Sequence, residues 1–485
     1  MNAPKPVPVA PGAPAIASIF PSAAAQSPLL NRSQFVDAAV QNPIRKIGLY
    51  LLLLYIFLFF SRMIEFTLPF GRVPVIIFAA MAIAAVGSGG LLRVLHCRVA
   101  WAMIALIVWE AITVPFSTWS GGSTLMLWES IRALGVALVL IGVCTAANDP
   151  RKVMVMLGFS VLFGALIGIF FGKFEFGRLV MEIGSFKDPN FYATTLVIGF
   201  PAWLMYLYAS PNKVVKFLAF ACMIPILFVF LQTGSRGGMI GLIVVFIGLF
   251  FQVRLPQKLG VMGIVCIVLL LAVFALPDYL RSRFATFYEA PSADATDLVG
   301  GDIGSTYARM QLLRDSGNMT LKHPVFGVGM GMFGQINWEQ ARERGEPGLA
   351  NVTHNTYTQL SSETGIPGLL IFLALLYQSF KALNKVLQLG KSPAYKIPEN
   401  VLIATRYVRL CLLGLCACAA SLSLAYSPLF FVITALAASV ELSVQRNLPG
   451  WTVSAVREVV RRPDWPAAQP FAAVLPASVT GRPVS

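Results

Sequence analysis

The feature that most constrains this chain is a recurrence of apolar runs long enough to cross a bilayer. Examples are IGLYLLLLYIFLFF (47–60) and MLGFSVLFGALIGIFFG (156–172), and similar runs follow one another along most of the 485 residues. Hydrophobic residues make up 57% and charged residues 12%, against about 25% charged in an average soluble domain. In hydrocarbon a chain must satisfy its own backbone hydrogen bonds, so only helices or closed barrels cross. A barrel would show short alternating segments, which this sequence lacks. The expected fold is therefore an all-α polytopic membrane protein with about twelve transmembrane helices. The runs place them near 46–61, 73–90, 99–117, 131–147, 153–172, 190–209, 214–232, 237–252, 258–276, 367–384, 406–425 and 427–444.

The net charge of +15 would suit nucleic acid, but the basic residues are dispersed in small groups between apolar runs. That is the pattern of cytoplasmic loops, so no nucleic-acid partner is expected. Arg93, Arg98, Arg151, Lys152, Lys213, Lys216, Arg254 and Lys258 fall on one side, joined by a basic stretch at 381–409. The short loops 118–130 and 425–427 on the other side contain no lysine or arginine. Both termini are then cytoplasmic, and the long segment 277–366 faces outward. The expected organisation is a Pro/Ala-rich disordered tail (1–45), helices 1–9 (46–276), an outer loop with short helices (277–366), helices 10–12 (367–444) and a second Pro-rich tail (445–485). Six of the seven cysteines lie in apolar runs, which indicates neither a disulfide frame nor a zinc site.

With that orientation the unusual polar residues collect on the outer side. SFKDPNFYA (185–193) leads into the sixth span, and QTGSRGGMIG (232–241) forms the tight turn between the seventh and eighth. Arg236 in that turn either snorkels to lipid headgroups or serves as a fixed cation for a phosphate, to which its planar fork is suited. Arg309 sits on the first turns of a short helix expected over 305–322, where a merely solvated arginine is the alternative. GMGMFG (329–334) matches G-x-G-x-x-G, but no strand precedes it, so its glycines are read as shaping a loop against the helices.

His354, one of only three histidines, precedes TYTQLSSETGIPG (356–368). Thr356 and Gln359 form a candidate capping box, with Gly365 ending a short helix and Pro367 starting the tenth span. The positive end of that helix disfavours imidazolium and keeps the ring neutral, the form that accepts a proton. A structural histidine in a loop is the competing reading. Asp188 and Glu363 are further outer-side carboxylates. Glu110 lies inside an apolar run, so it should face the interior and is a candidate partner for a cation.

Together, DPNFYA (188–193), TGSRGGMIGL (233–242), Arg309 with HPVFGVGMGMF (323–333) and HNTYTQLSSETGIPG (354–368) resemble the O-antigen ligase/polymerase family of bacterial inner-membrane proteins. The resemblance covers roughly 185–385. It implies a metal-independent glycosyltransferase, with no cofactor, that moves a glycan from undecaprenyl diphosphate to an acceptor hydroxyl on a lipid or glycan, with inversion. It further implies a multi-pass protein of the inner membrane whose active site faces the periplasm. Arg236 and Arg309 would hold the diphosphate and His354 would be catalytic, with Asp188, Glu363 and Glu110 as supporting candidates. Charge physics agrees: a glycosyl diphosphate already has a good leaving group and needs its charge neutralised, while the acceptor hydroxyl needs a base.

Ligase, repeat-unit polymerase and protein O-oligosaccharyltransferase share this donor and differ in acceptor, so the sequence does not separate them. The rival of another class is a transporter of lipid-linked saccharide. Transport predicts ionisable groups near the bilayer midplane, whereas most of the candidates here lie at the outer boundary.

Overall fold

The computed structural model describes residues 42–63, 65, 73–274, 302–343, 345, 352–393, 395 and 397–445. Both expected tails lie almost wholly outside these residues, as does the first part of the outer loop. The first helix, α1 (Pro43–Ser61), begins where Pro43 fixes a helical φ and Asn42 Oδ1 accepts from the amides of Ile44 and Arg45. It is followed by α2 (Val73–Gly87), the short α3 (Gly90–Val94), α4 (Arg98–Thr113), α5 (Ser120–Val143) and α6 (Asp149–Phe171). After a hairpin come α7 (Pro189–Ala209), α8 (Lys213–Gln232), α9 (Arg236–Gln252) and α10 (Leu255–Phe274). The remaining helices are α11 (Asp302–Lys322), α12 (Phe333–Glu343), α13 (Thr356–Leu389), α14 (Glu399–Ala419) and α15 (Pro428–Gln445).

Every expected span falls on one of these helices. Among the described residues eight are long and apolar enough to cross a membrane, and Val73–Gly87, Arg236–Gln252, Leu255–Cys266 and Pro428–Val444 are shorter apolar helices. The protein is thus a helical, multi-pass membrane protein, and the crossing of all twelve remains an expectation.

An all-α reading misses one element. Lys173–Glu175 (β1) and Arg178–Val180 (β2) pair antiparallel, with Phe174 opposite Leu179. The pair forms because Phe176 and Gly177 both take positive φ (47° and 70°), the twist that a two-residue hairpin turn requires.

The core centres on α7 and α15, whose side chains are buried on nearly every face. A helix apolar all round fits only the inside of a bundle. With no hydrophobic force acting between helices in lipid, close approach depends on small residues. Gly158 of α6 abuts Ala202 of α7, and Gly241 of α9 abuts Cys418 of α14. At the end of the bundle read as cytoplasmic, Arg45 and Asp149 form a fully buried ion pair (2.6 Å) that ties α1 to α6. Arg45 Nη1 also donates to the Val143 carbonyl (2.9 Å) and Ala146 N donates to Asp149 Oδ2 (2.9 Å), so the charges are hydrogen-bonded as burial demands. Arg45 had been expected at the end of a disordered tail.

Candidate functional site

Three loops and two helix ends meet at the end of the bundle read as outer. At the start of α7 the Asp188 carboxylate caps the helix, accepting from Asn190 N (2.8 Å) and Asn190 Nδ2 (3.1 Å). The Asn190 carbonyl oxygen in turn accepts from Arg178 Nη2 (2.8 Å) and from Ser235 Oγ (3.0 Å). Arg178 Nε donates to the Thr233 carbonyl (2.7 Å). Ser235 caps α9 by accepting from Gly238 N (3.2 Å), which makes Arg236 the first residue of that helix, with only 8% of its surface exposed. The hairpin, the head of α7 and the 233–236 turn are thereby joined around one asparagine.

The His354 segment is held from the opposite side by the turn between α14 and α15. Thr353 and Ser423 share a hydroxyl–hydroxyl bond (2.9 Å), and Thr356 Oγ1 donates to the Leu422 carbonyl (2.6 Å) and accepts from Leu424 N (3.0 Å). Gln359 Oε1 accepts from Ala425 N (3.2 Å). The expected Thr356–Gln359 capping box therefore does not form. Asn355 caps α13 instead, through Tyr357 N and Thr358 N, because Thr356 and Gln359 are taken up by the neighbouring turn. The same turn reaches the other half of the site: Gly237 packs so tightly on the Ser421 hydroxyl that a Cβ there would overlap it. Residues 421–425 thus touch both the Gly237 turn and the segment around His354.

His354 adopts a left-handed φ of 51°, an uncommon state for a residue with a Cβ, and its neighbours' fixed bonds hold it there. Its ring is half-buried, and Nδ1 is sealed from solvent without a hydrogen-bond partner. Burial pushes the imidazole below its usual range. The Arg309 guanidinium pushes it further down, Asp188 pulls it back up, and Arg178 pushes it down again. The ring is therefore neutral at neutral pH. The direction is the one expected from the sequence, with burial and then Arg309 as its largest causes.

Arg309 is on α11, which is bound to α13 by the Thr320–Ser361 hydroxyl pair (2.8 Å). Beyond α11 the glycine-rich loop 323–332 runs along α13 where that helix breaks. Gly365 (φ 77°) interrupts the helix and Pro367 lacks an amide hydrogen, so backbone groups are freed inside apolar surroundings. The loop satisfies them. Val328 N donates to Ser362 O (2.8 Å), Gly329 N to Glu363 O (3.0 Å), and Ile366 N to Pro324 O (2.8 Å). Trp109 Nε1 from α4 supplies the fourth bond, to Thr364 O (2.8 Å). The dinucleotide-like glycines are structural, since Gly329 (φ 111°) lies against Ser117 and Gly331 (φ 72°) against Met126, each with no room for a Cβ.

Glu363 belongs to this clamp. Its Oε2 accepts from Gly331 N (3.0 Å), Tyr426 OH (2.8 Å) and Gln359 Nε2 (3.3 Å), so the carboxylate fastens the loop to the bundle. Glu110 is buried in α4 as expected, but it pairs with no cation among the described residues. Both its oxygens lie outside hydrogen-bond geometry, Ser130 of α5 is its polar neighbour, and Glu363 is the charged group that acts on it. Glu110 lies on the last turn of α4, three residues before Thr113. Of the residues singled out from sequence, Arg309 and Asp188 act on His354, and Arg236 opens a helix whose Ser235 cap is bonded to Asn190 beside Asp188, whereas Glu363 is bound to the glycine-rich loop and Glu110 is buried in α4. Sequence reasoning passed over Arg178 and Asn190. The usable signal was the turn glycine of KFEFGR, which turns a basic loop residue back toward the bundle.

No curated protein matches the chain. The family model described as O-antigen ligase matches residues 218–373, a stretch that runs from α8 to just beyond the α13 break and contains Arg236, Arg309, His354 and Glu363. Across residues 218–373, therefore, this chain is similar to the O-antigen ligase family.

Proposed function

We propose that the protein transfers a glycan from undecaprenyl diphosphate to an acceptor hydroxyl at the periplasmic face of the inner membrane, as an O-antigen ligase or repeat-unit polymerase. The observation that carries this reading is the half-buried, neutral His354 ring on a strained backbone, under the field of Arg309 and Arg178 and within the family-matched stretch. Because Nδ1 is sealed, the acceptor hydroxyl meets the other ring nitrogen, Nε2, of the neutral imidazole, the form that accepts a proton. As the acceptor oxygen attacks the anomeric carbon, His354 takes its proton and the diphosphate leaves from the opposite side, which inverts the centre. Arg236 and Arg309 hold the diphosphate and neutralise the charge that builds on it, so the chemistry needs no divalent ion. Asp188 limits how far the arginines depress the histidine. Both termini and α1–α10 then serve as the cytoplasmic and membrane frame for an outward-facing site.

The test is glycan transfer in proteoliposomes loaded with a lipid-linked oligosaccharide and a lipid acceptor, comparing the wild type with Arg236→Ala, Arg309→Ala and His354→Ala of verified fold. Near-normal turnover by any one variant removes the role given to that residue.

A further inference from the structure

The β1–β2 hairpin carries a feature that its fold does not explain. Phe176 occupies the first turn position with φ 47°, a conformation that asparagine or aspartate adopts readily and a bulky residue resists. The same phenylalanine is 93% exposed. A large apolar side chain in a strained turn, touching almost nothing of its own protein, is placed for contact with something else.

Its surroundings identify that contact. The helix α6 reads as a span and ends at Phe171, two residues before β1. Phe170 and Phe171 on its last turn are 76% and 60% exposed, and Phe174 on β1 is 58% exposed. Four exposed phenylalanines within seven residues therefore continue from the lipid-facing end of a span into the hairpin. The opposite strand faces inward, with Leu179, Val180 and Met181 all buried. Aromatic side chains gather where hydrocarbon gives way to headgroups. We infer that the hairpin tip is seated in the headgroup–acyl boundary of the outer leaflet, with Phe176 as its anchor and phospholipid as its partner.

The anchor also has a reach into the site. Two residues past Phe176, Arg178 bonds to Thr233 O and Asn190 Oδ1, so the depth of the tip sets the height of the Arg236 turn relative to the lipid. This second step rests on the proposed function, and the first does not.

Two measurements test the inference. Photocrosslinking from p-benzoylphenylalanine at position 176, in vesicles of phosphatidylethanolamine and phosphatidylglycerol, is expected to yield phospholipid adducts by mass spectrometry. Adducts only to protein, or none at all, overturn the anchor. Phe176→Asn installs the residue the turn prefers, so the fold is retained and its melting temperature is unchanged or higher. Its apparent KM for the lipid-linked donor in vesicles is expected to rise several-fold at near-constant kcat. An unchanged KM alongside lipid adducts overturns the coupling to the site. A wild-type protein that forms lipid adducts but transfers no glycan counts against the proposed function and leaves the anchor standing.

Discussion

Arg178 and Asn190 are joined by a guanidinium–amide bond of 2.8 Å that links the hairpin to the head of α7. The bond gives a membrane-proximal strand a direct hold on the residues around His354. Arg178→Gln removes that hold and the bond to the Thr233 carbonyl, with an expected loss of about 1.5–3 kcal/mol in stability, measured by thermal unfolding in detergent. It also removes a positive charge that disfavours imidazolium, so the histidine titrates at higher pH than in the wild type.

A His354→Ala variant should retain the fold and lose roughly 10²–10⁴-fold in transfer rate. In the wild type the sign of the pH dependence follows from the depressed imidazole. The neutral form persists below the ordinary histidine value of 6.5, so activity holds through that pH and falls only as the pH drops through the depressed value. A rate that halves above pH 6.5 would contradict the base role.

Arg309 and Asp188 act on this titration in opposite senses. Arg309→Gln relieves a repulsion and moves the acid limb of the pH–rate profile upward. Asp188→Asn removes an attraction and moves it downward, while asparagine still caps α7. Shifts in the same direction would show that neither charge reaches His354.

The Trp109–Thr364 bond is separable from the chemistry. Trp109→Phe keeps an aromatic ring beside Phe326 but leaves a buried carbonyl unsatisfied at the α13 break. The expected cost is about 1–3 kcal/mol in stability, and donor affinity should change little. Chemical denaturation paired with donor binding separates the two effects.

The Arg45–Asp149 pair predicts an asymmetry between single and double variants. Arg45→Ala strands a buried carboxylate and should lose about 3–5 kcal/mol, whereas Arg45→Met with Asp149→Leu should recover most of that loss. Equal damage by both would show that packing around the pair, rather than charge, holds α1 in place.

The helices were legible because an apolar run of span length has few other fates in lipid, and α7 and α13 begin close to where proline and capping signals put them. The break at Gly365 was legible too, since glycine followed by Ile-Pro removes both geometry and a donor. What repairs the break was not, because the partners of Ser362, Glu363 and Thr364 come from α4 and a loop some forty residues upstream. Arg236, Arg309 and His354 stood out as polar residues at membrane edges. The corner at 421–425 that touches the Gly237 turn and the His354 segment did not, because serines and backbone amides carry no pattern until the fold brings them together. The hairpin was hidden for a different reason: its turn uses a phenylalanine where a turn-former would have announced it.

The corner at 421–425 bears on how this protein can be recombined with others. The family-matched stretch ends at residue 373, yet Ser423 and Leu422 grip His354's neighbours from beyond it, and Arg178 and Asn190 brace the Arg236 turn from before it. A chimera that exchanges residues 218–373 alone would graft Arg236, Arg309 and His354 into foreign scaffolding. To keep those braces, such a swap must carry the hairpin and the α14–α15 corner along with it.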